Sequence, residues 1–254
     1  MLFIINLQTV VSFTTYTMDL FSAVYITFYA VTGLALFGLL FNIYKAYQNK
    51  SKAFLSVLFV GAIIFVWLSL QAYLANNNFY LSDTKSLPPR FLLAIVPPLL
   101  FIIFILIYKK ERILKMPGKW MTFFHVIRVP IELVLYGLFM EKLIPEIMTF
   151  SGRNYDIIIG LSAPVMAMLF YSNTSIHKRW IQIWNVIGIA FLVNVVFYGI
   201  FSTPYPFQMY GLEQANIAVL QYPIIWLPSF LVPAVLFFHL ACLMQLLNKN
   251  HPGY

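Results

Sequence analysis

The chain has 254 residues, of which 61% are hydrophobic and only 9% charged, and its mean hydropathy is +0.84. Soluble domains carry charge on about a quarter of their residues, so a soluble fold is excluded and an all-α, polytopic integral membrane protein is indicated. Each crossing takes about 20 residues, so a single transmembrane domain, residues 1–254, uses the whole sequence.

The first eighteen residues, MLFIINLQTVVSFTTYTM, are apolar but interrupted by Asn6, Gln8 and a run of Thr and Ser. They lack the basic start and small-residue cleavage site of a signal peptide, and an interfacial lead-in is expected. Seven apolar runs follow, at about 20–44, 53–74, 91–108, 120–140, 156–172, 180–200 and 223–247, each long enough to read as a membrane helix. Barrel strands would alternate apolar and polar residues over about ten positions. Runs such as FLLAIVPPLLFIIFILIY are instead apolar on every side.

Lys and Arg orient these seven helices. The segments after the first, third, fifth and seventh runs hold Lys45, Lys50, Lys52, Lys109, Lys110, Arg112, Lys115, Lys119, Lys178, Arg179 and Lys249, eleven of the sixteen basic residues. The opposite segments hold Lys85, Arg90, Lys142 and Arg153 beside six acids, Asp19, Asp83, Glu141, Glu146, Asp156 and Glu213. The positive-inside rule puts the N-terminus outside and the C-terminus in the cytoplasm. The net charge of +8 is therefore a topology signal, and nucleic acid is not implied as a partner; the lipid bilayer is.

The third run contains Pro97 and Pro98, where a bend is expected. The fourth, WMTFFHVIRVPIELVLYGLFM, carries the most informative residues: His125, Arg128 and Glu132, spaced by three and four and so on one helical face. Ionisable groups in hydrocarbon cost roughly 2.5 to 3.5 kcal/mol on insertion scales, so they face a bundle interior and mark a pathway or ligand site. Pro130 between them removes a backbone bond, frees the Val126 carbonyl and predicts a kink. Counting at ~1.5 Å per residue puts Glu132 near mid-depth and His125 about 7 Å nearer the cytoplasm. His239, in the last run, lies about 6 Å to that same side of its own midpoint, so the two histidines share a depth.

Three readings of this constellation stand side by side. Arg128 and Glu132 form a buried ion pair and the histidines merely join helices; or the face is a polar pocket for a solute or proton, with Arg128 as counter-ion to Glu132; or His125 and His239 hold a metal or haem. Two histidines are too few for a closed zinc site and have no haem-specific spacing, so no metal or cofactor is assigned.

The loop PEIMTFSGRNYD, residues 145–156, places Arg153, Asn154 and Asp156 where they either cover the mouth of the bundle or simply turn and cap the fifth helix. Asn185 and Asn194 in the sixth run and Gln71 in the second are expected to join helices. Residues 201–222, rich in Tyr, Phe and Pro, form the longest connection, expected at the outer interface and suited to act as a lid. The last run carries Pro223, Pro228 and Pro233 and predicts bends or a discontinuity of the kind found where transporters bind solute. Cys242, the single cysteine, admits no intramolecular disulfide and is assigned to packing.

No lysine lies in the seventh run, which excludes a rhodopsin-like Schiff base, and HExxH, GxSxG, Walker A and paired-cysteine motifs are absent. Nothing supports an enzyme. The segments HVIRVPIE, TFSGRNYDIIIGLSAP and NIAVLQYPIIWLPSFLVPAVLFFHL together resemble uncharacterised seven-helix inner-membrane proteins of Bacteroidota-type bacteria, across roughly the second half of the chain. That resemblance implies a bacterial source and an inner-membrane location, and no activity. The functional expectation is ligand binding or transport of a small solute or proton at His125, Arg128, Glu132 and His239, with Arg153, Asn154 and Asp156 over it. The alternative is a structural or accessory subunit whose polar residues pack helices or meet a partner membrane protein.

Overall fold

The computed structural model describes residues 7–82, 84–85, 88–169 and 175–248, and residues 7–21 and 175–177 by their backbone alone. Asp83 and Lys249, counted above for orientation, lie outside the described residues, as does the side chain of Asp19. Among the described residues there are helices and no strands. In chain order they are α1 (Leu7–Lys45), α2 (Lys50–Asn76), α3 (Leu92–Tyr108), a short α4 (Lys110–Ile113), α5 (Gly118–Phe123), α6 (Arg128–Met140), α7 (Asp156–Leu169), α8 (Ser175–Phe201) and α9 (Val232–Leu247).

Among the described residues, five helical stretches are long and apolar enough to cross a membrane: Ser22–Lys45, Lys50–Asn76, Gly118–Met140, Lys178–Phe201 and Leu227–Leu247. The remaining two predicted runs are the shorter apolar helices α3, of 17 residues, and α7, of 14; residues 170–172 of the latter run lie outside the described ones. The expected lead-in is, from Leu7 onward, the first part of α1, a single helix of 39 residues.

Proline acts differently at each place. Before Pro130 the helix tightens into a 3₁₀ turn, Phe124–Ile127, between α5 and α6. The ring of a proline crowds the carbonyl four residues back, here that of Val126, inside this turn. The last span opens with a wide π-helical turn, Leu227–Leu231, containing Pro228, so a discontinuity is present where three prolines predicted one. Tryptophans brace it: Trp67 Nε1 of α2 donates to the Ser229 carbonyl at 3.0 Å and Trp226 Nε1 donates back to the Leu68 carbonyl at 3.0 Å. The α3 helix, by contrast, runs unbroken through Pro97 and Pro98.

The stretches Gly118–Met140 and Leu227–Leu247 are the most buried of the five and form the centre. The α6 helix packs on α1 and α7, and α9 packs on α8, α5 and α3, while α2 lies at the periphery against α1. Phe124, Leu135, Leu138, Leu231, Val235 and Phe238 fill the space between them.

The connections gather at two ends. At one, Arg112 lies over the Tyr47 ring at 4.4 Å, Gln245 Nε2 donates to the carbonyls of Ile113 and Met116 at 2.7 and 2.8 Å, and Gln182 Nε2 donates to the Leu246 carbonyl at 3.3 Å. The segments carrying Lys45, Lys50, Lys52, Lys109, Lys110, Lys115, Lys119, Lys178 and Arg179 meet here. At the other end the Tyr205 hydroxyl donates to the Tyr80 carbonyl at 2.8 Å and Ile217 N donates to the Leu143 carbonyl at 3.1 Å. Residues 201–222 are thus folded into this end, with Ser202, Thr203, Tyr205, Asn216 and Leu220 buried.

Candidate functional site

Arg128 opens α6, and its side chain is 2% exposed. The four-residue spacing to Glu132 predicted a pair between them, but Arg128 pairs instead with Asp156 of α7, Nη2 to Oδ2 at 3.6 Å, and donates from Nη2 to the Gly188 carbonyl of α8 at 3.2 Å. The reason is the approach of α7. A Cβ on Gly160 would lie 2.9 Å from Val129 N and 3.2 Å from Arg128 Cβ, so only glycine lets α7 sit against the start of α6. Asp156, one turn before Gly160 on α7, thereby comes to the guanidinium.

Glu132, 1% exposed, is held by Asn154, whose Nδ2 donates to Glu132 Oε1 at 2.6 Å and to the Met148 carbonyl at 3.0 Å. The same amide's Oδ1 accepts from Asp156 N at 3.0 Å and so caps α7. Asn154 therefore both caps the helix and reaches the bundle interior. Arg153 does not join them. It is exposed, donates from Nη1 to the Tyr198 hydroxyl at 3.2 Å, and that contact raises its pKa above the ordinary arginine value. Asn194 Nδ2 donates to its carbonyl at 2.6 Å.

The two histidines meet. Their rings stack with centroids 3.8 Å apart and planes 21° from parallel, and Trp184 packs on both at 5.4 and 5.5 Å. Asn185 Nδ2 donates to the Ile181 carbonyl at 2.8 Å, which leaves its Oδ1 as an acceptor, so His239 Nδ1, 2.8 Å away, is the donor. Nε2 is then the bare nitrogen of the neutral ring. Gly188 makes the stack possible, because a Cβ there would overlap the His239 imidazole. Stacked rings hold their nitrogen lone pairs in parallel planes and do not converge on one ion. Among the described residues no group of three His, Cys, Asp or Glu side chains is arranged to hold a metal.

Above Arg128, Glu132 and Asp156 lies a cavity of about 90 Å³. Its walls are apolar: Ile131 and Leu135 of α6, Leu192 and Val195 of α8, Leu231 of the π-helical turn and Val235 of α9. Thr203 and Asn216, from the 201–222 segment, line its far end. Several buried polar atoms of this region have no hydrogen-bond partner among the described residues: Arg128 Nε and Nη1, Glu132 Oε2, Asp156 Oδ1, Asn216 Oδ1, His239 Nε2 and both nitrogens of His125. Buried polar groups in proteins are nearly always bonded, so this concentration singles the region out.

Residues 88–247 match the family described as Domain of unknown function (DUF8737). The chain belongs to the DUF8737 family. The match begins just before α3, so the DUF8737 segment contains every cavity-lining residue and the two histidines, while α1 and α2 precede it. No curated protein and no solved structure matches the chain.

Sequence reasoning ranked Asn185 as helix glue and overlooked Trp184, Gly160, Gly188, Asn216 and the cavity itself. A glycine three residues after Asn185, on the same face of α8, was the available signal for a close approach. Cys242 packs as expected, with Sγ 3.8 Å from Thr122 Oγ1.

Proposed function

We propose that this DUF8737 member is a membrane protein of seven transmembrane helices, N-terminus outside and C-terminus cytoplasmic, that binds or carries a small solute at Arg128, Glu132 and Asp156. One observation carries the reading: unpartnered buried donors and acceptors sit at the floor of an otherwise apolar cavity. Such groups cost about 1–3 kcal/mol each when unmet, more when charged, and a polar ligand or its water meets them. Asn154 and the stacked His125 and His239 position the floor, and Arg153 stays at the outer rim. The resemblance noted above supports a bacterial inner-membrane location.

The gathering of basic segments at one end supports the orientation, since cytoplasmic loops carry the excess of Lys and Arg. Cysteines replacing Lys50 and Lys115 are expected to react with impermeant reagents only after the cytoplasmic face is opened; labelling from outside refutes the topology. The solute reading is tested by mass spectrometry of small molecules released from the purified chain. Wild type is expected to release a bound molecule that the Arg128→Glu, Glu132→Arg exchange variant, folded by circular dichroism, lacks.

A structural role is favoured by a different observation, that Arg128 ties α6 to α7 and α8 through Asp156 and the Gly188 carbonyl. In that reading the exchange variant loses stability and nothing else.

A further inference from the structure

We infer that the cavity takes a short organic monocation, an ammonium group on an apolar body, with the ammonium at Glu132 and the body along the walls formed by α6, α8 and α9. This rests on the solute-site reading above and names the class of solute.

The argument is one of charge and shape. One guanidinium faces two carboxyl groups, so with both ionised the cavity floor carries one negative charge in excess, which either a proton or a cationic ligand meets. The carboxyl without a cation of its own is Glu132. Arg128 has an acid and a carbonyl facing its Nη2, Asp156 at 3.6 Å and Gly188 at 3.2 Å, with Nε and Nη1 open, whereas among the described residues Glu132 receives the neutral Asn154 amide on Oε1 at 2.6 Å and no cation within ion-pair distance. Glu132 lines the cavity, and its Oε2 is buried with no partner among the described residues. A buried charge without a counter-charge is strongly unfavourable, and a ligand ammonium supplies the counter-charge and three N–H donors together.

The rest of the ligand is dictated by the walls. Ile131, Leu135, Leu192, Val195, Leu231 and Val235 offer no hydrogen bonds from their side chains. They favour an aliphatic body, whose binding gains about fourfold per buried methylene until the space is filled. An anion of the same shape would place its charge beside Glu132. A zwitterion would restore the excess negative charge that the ammonium removes.

The test uses the full chain, purified in neutral detergent, and four probes of matched size: n-hexylammonium, hexan-1-ol, hexanoate and leucine, each titrated by calorimetry. The expected result is hexylammonium at least tenfold tighter than the other three, with butylammonium weaker than hexylammonium. Glu132→Gln, which keeps the shape and the Asn154 bond, is expected to bring hexylammonium down to the level of hexanol. Tighter binding of hexanoate or leucine, equal binding of all four, or a Glu132→Gln variant with unchanged hexylammonium affinity overturns the cation assignment and leaves the solute site standing. Binding of none of the four overturns both. The probe comparison in wild type decides the matter even where Glu132→Gln fails to fold.

Discussion

Replacing Gly188 by alanine tests the centre of the structure with a single methyl group. The added Cβ would lie 2.5 Å from His239 Nε2 and closer still to Cε1, where ordinary contacts fall at 3.4–4 Å. The imidazole must withdraw by roughly 1 Å, and overpacking of that kind costs about 1–3 kcal/mol. It has nowhere to go, because His125 stacks on it at 3.8 Å and Trp184 packs at 5.5 Å. The helix also carries the Gly188 carbonyl that accepts from Arg128, and a loosened bond from a charged donor adds to the loss, being worth about 1.5–3 kcal/mol when whole. Alanine gains about 1 kcal/mol over glycine in a helix interior, so the comparison is made against Gly33→Ala, where a Cβ meets nothing within 4 Å. Both variants share the helix term, and the difference isolates the clash. In reversible detergent unfolding followed by tryptophan fluorescence, Gly188→Ala is expected to fall below Gly33→Ala by about 2–4 kcal/mol. Adding His239→Ala removes the obstacle, and the double variant should cost at least about 1 kcal/mol less than the sum of its parts. Equal stability of the two glycine variants, or strict additivity with His239→Ala, refutes the packing argument.

Arg128→Met leaves Asp156 and Glu132 buried without a cation and is expected to cost about 3–5 kcal/mol in the same assay; adding Asp156→Asn should recover part of it, and no recovery would sever the link between the two residues. Asn154→Ala removes the cap of α7 and the bond to Glu132, for an expected loss of about 2–4 kcal/mol, whereas loss below 1 kcal/mol by unfolding would show that neither bond matters. At the opposite end from the basic rim, burial raises the Tyr80 pKa above its ordinary 10, and its hydroxyl donates to Gln71 Oε1. The folded state thus holds the Tyr80 proton more tightly than the unfolded one, so stability is full below pH 10 and declines as pH rises past the unfolded value. Tyr80→Phe should flatten that alkaline decline, and an unchanged slope between pH 9 and 11.5 would contradict it.

The positions of the helices were legible because burial in lipid acts locally: about 20 consecutive apolar residues suffice to specify a crossing helix whatever its neighbours, and the basic segments follow the same local logic. The matched depth of His125 and His239 was legible too, since residue counts convert to height at ~1.5 Å each. What height leaves open is azimuth. Arg128 and Glu132 are neighbours on one helix, yet their partners come from elsewhere, Asp156 and the Gly188 carbonyl for one and Asn154 for the other. Those choices depend on how closely α7 and α8 approach α6, which small residues such as Gly160 and Gly188 permit and only the assembled bundle reveals. The cavity is a property of no single segment: α3, α6, α8, the π-helical turn, α9 and the 201–222 connection each supply part of its lining. Local hydrophobicity therefore determined which stretches are helices and which end is basic, while tertiary packing decided which charges pair, because pairing requires side chains from different helices at one height and facing one another.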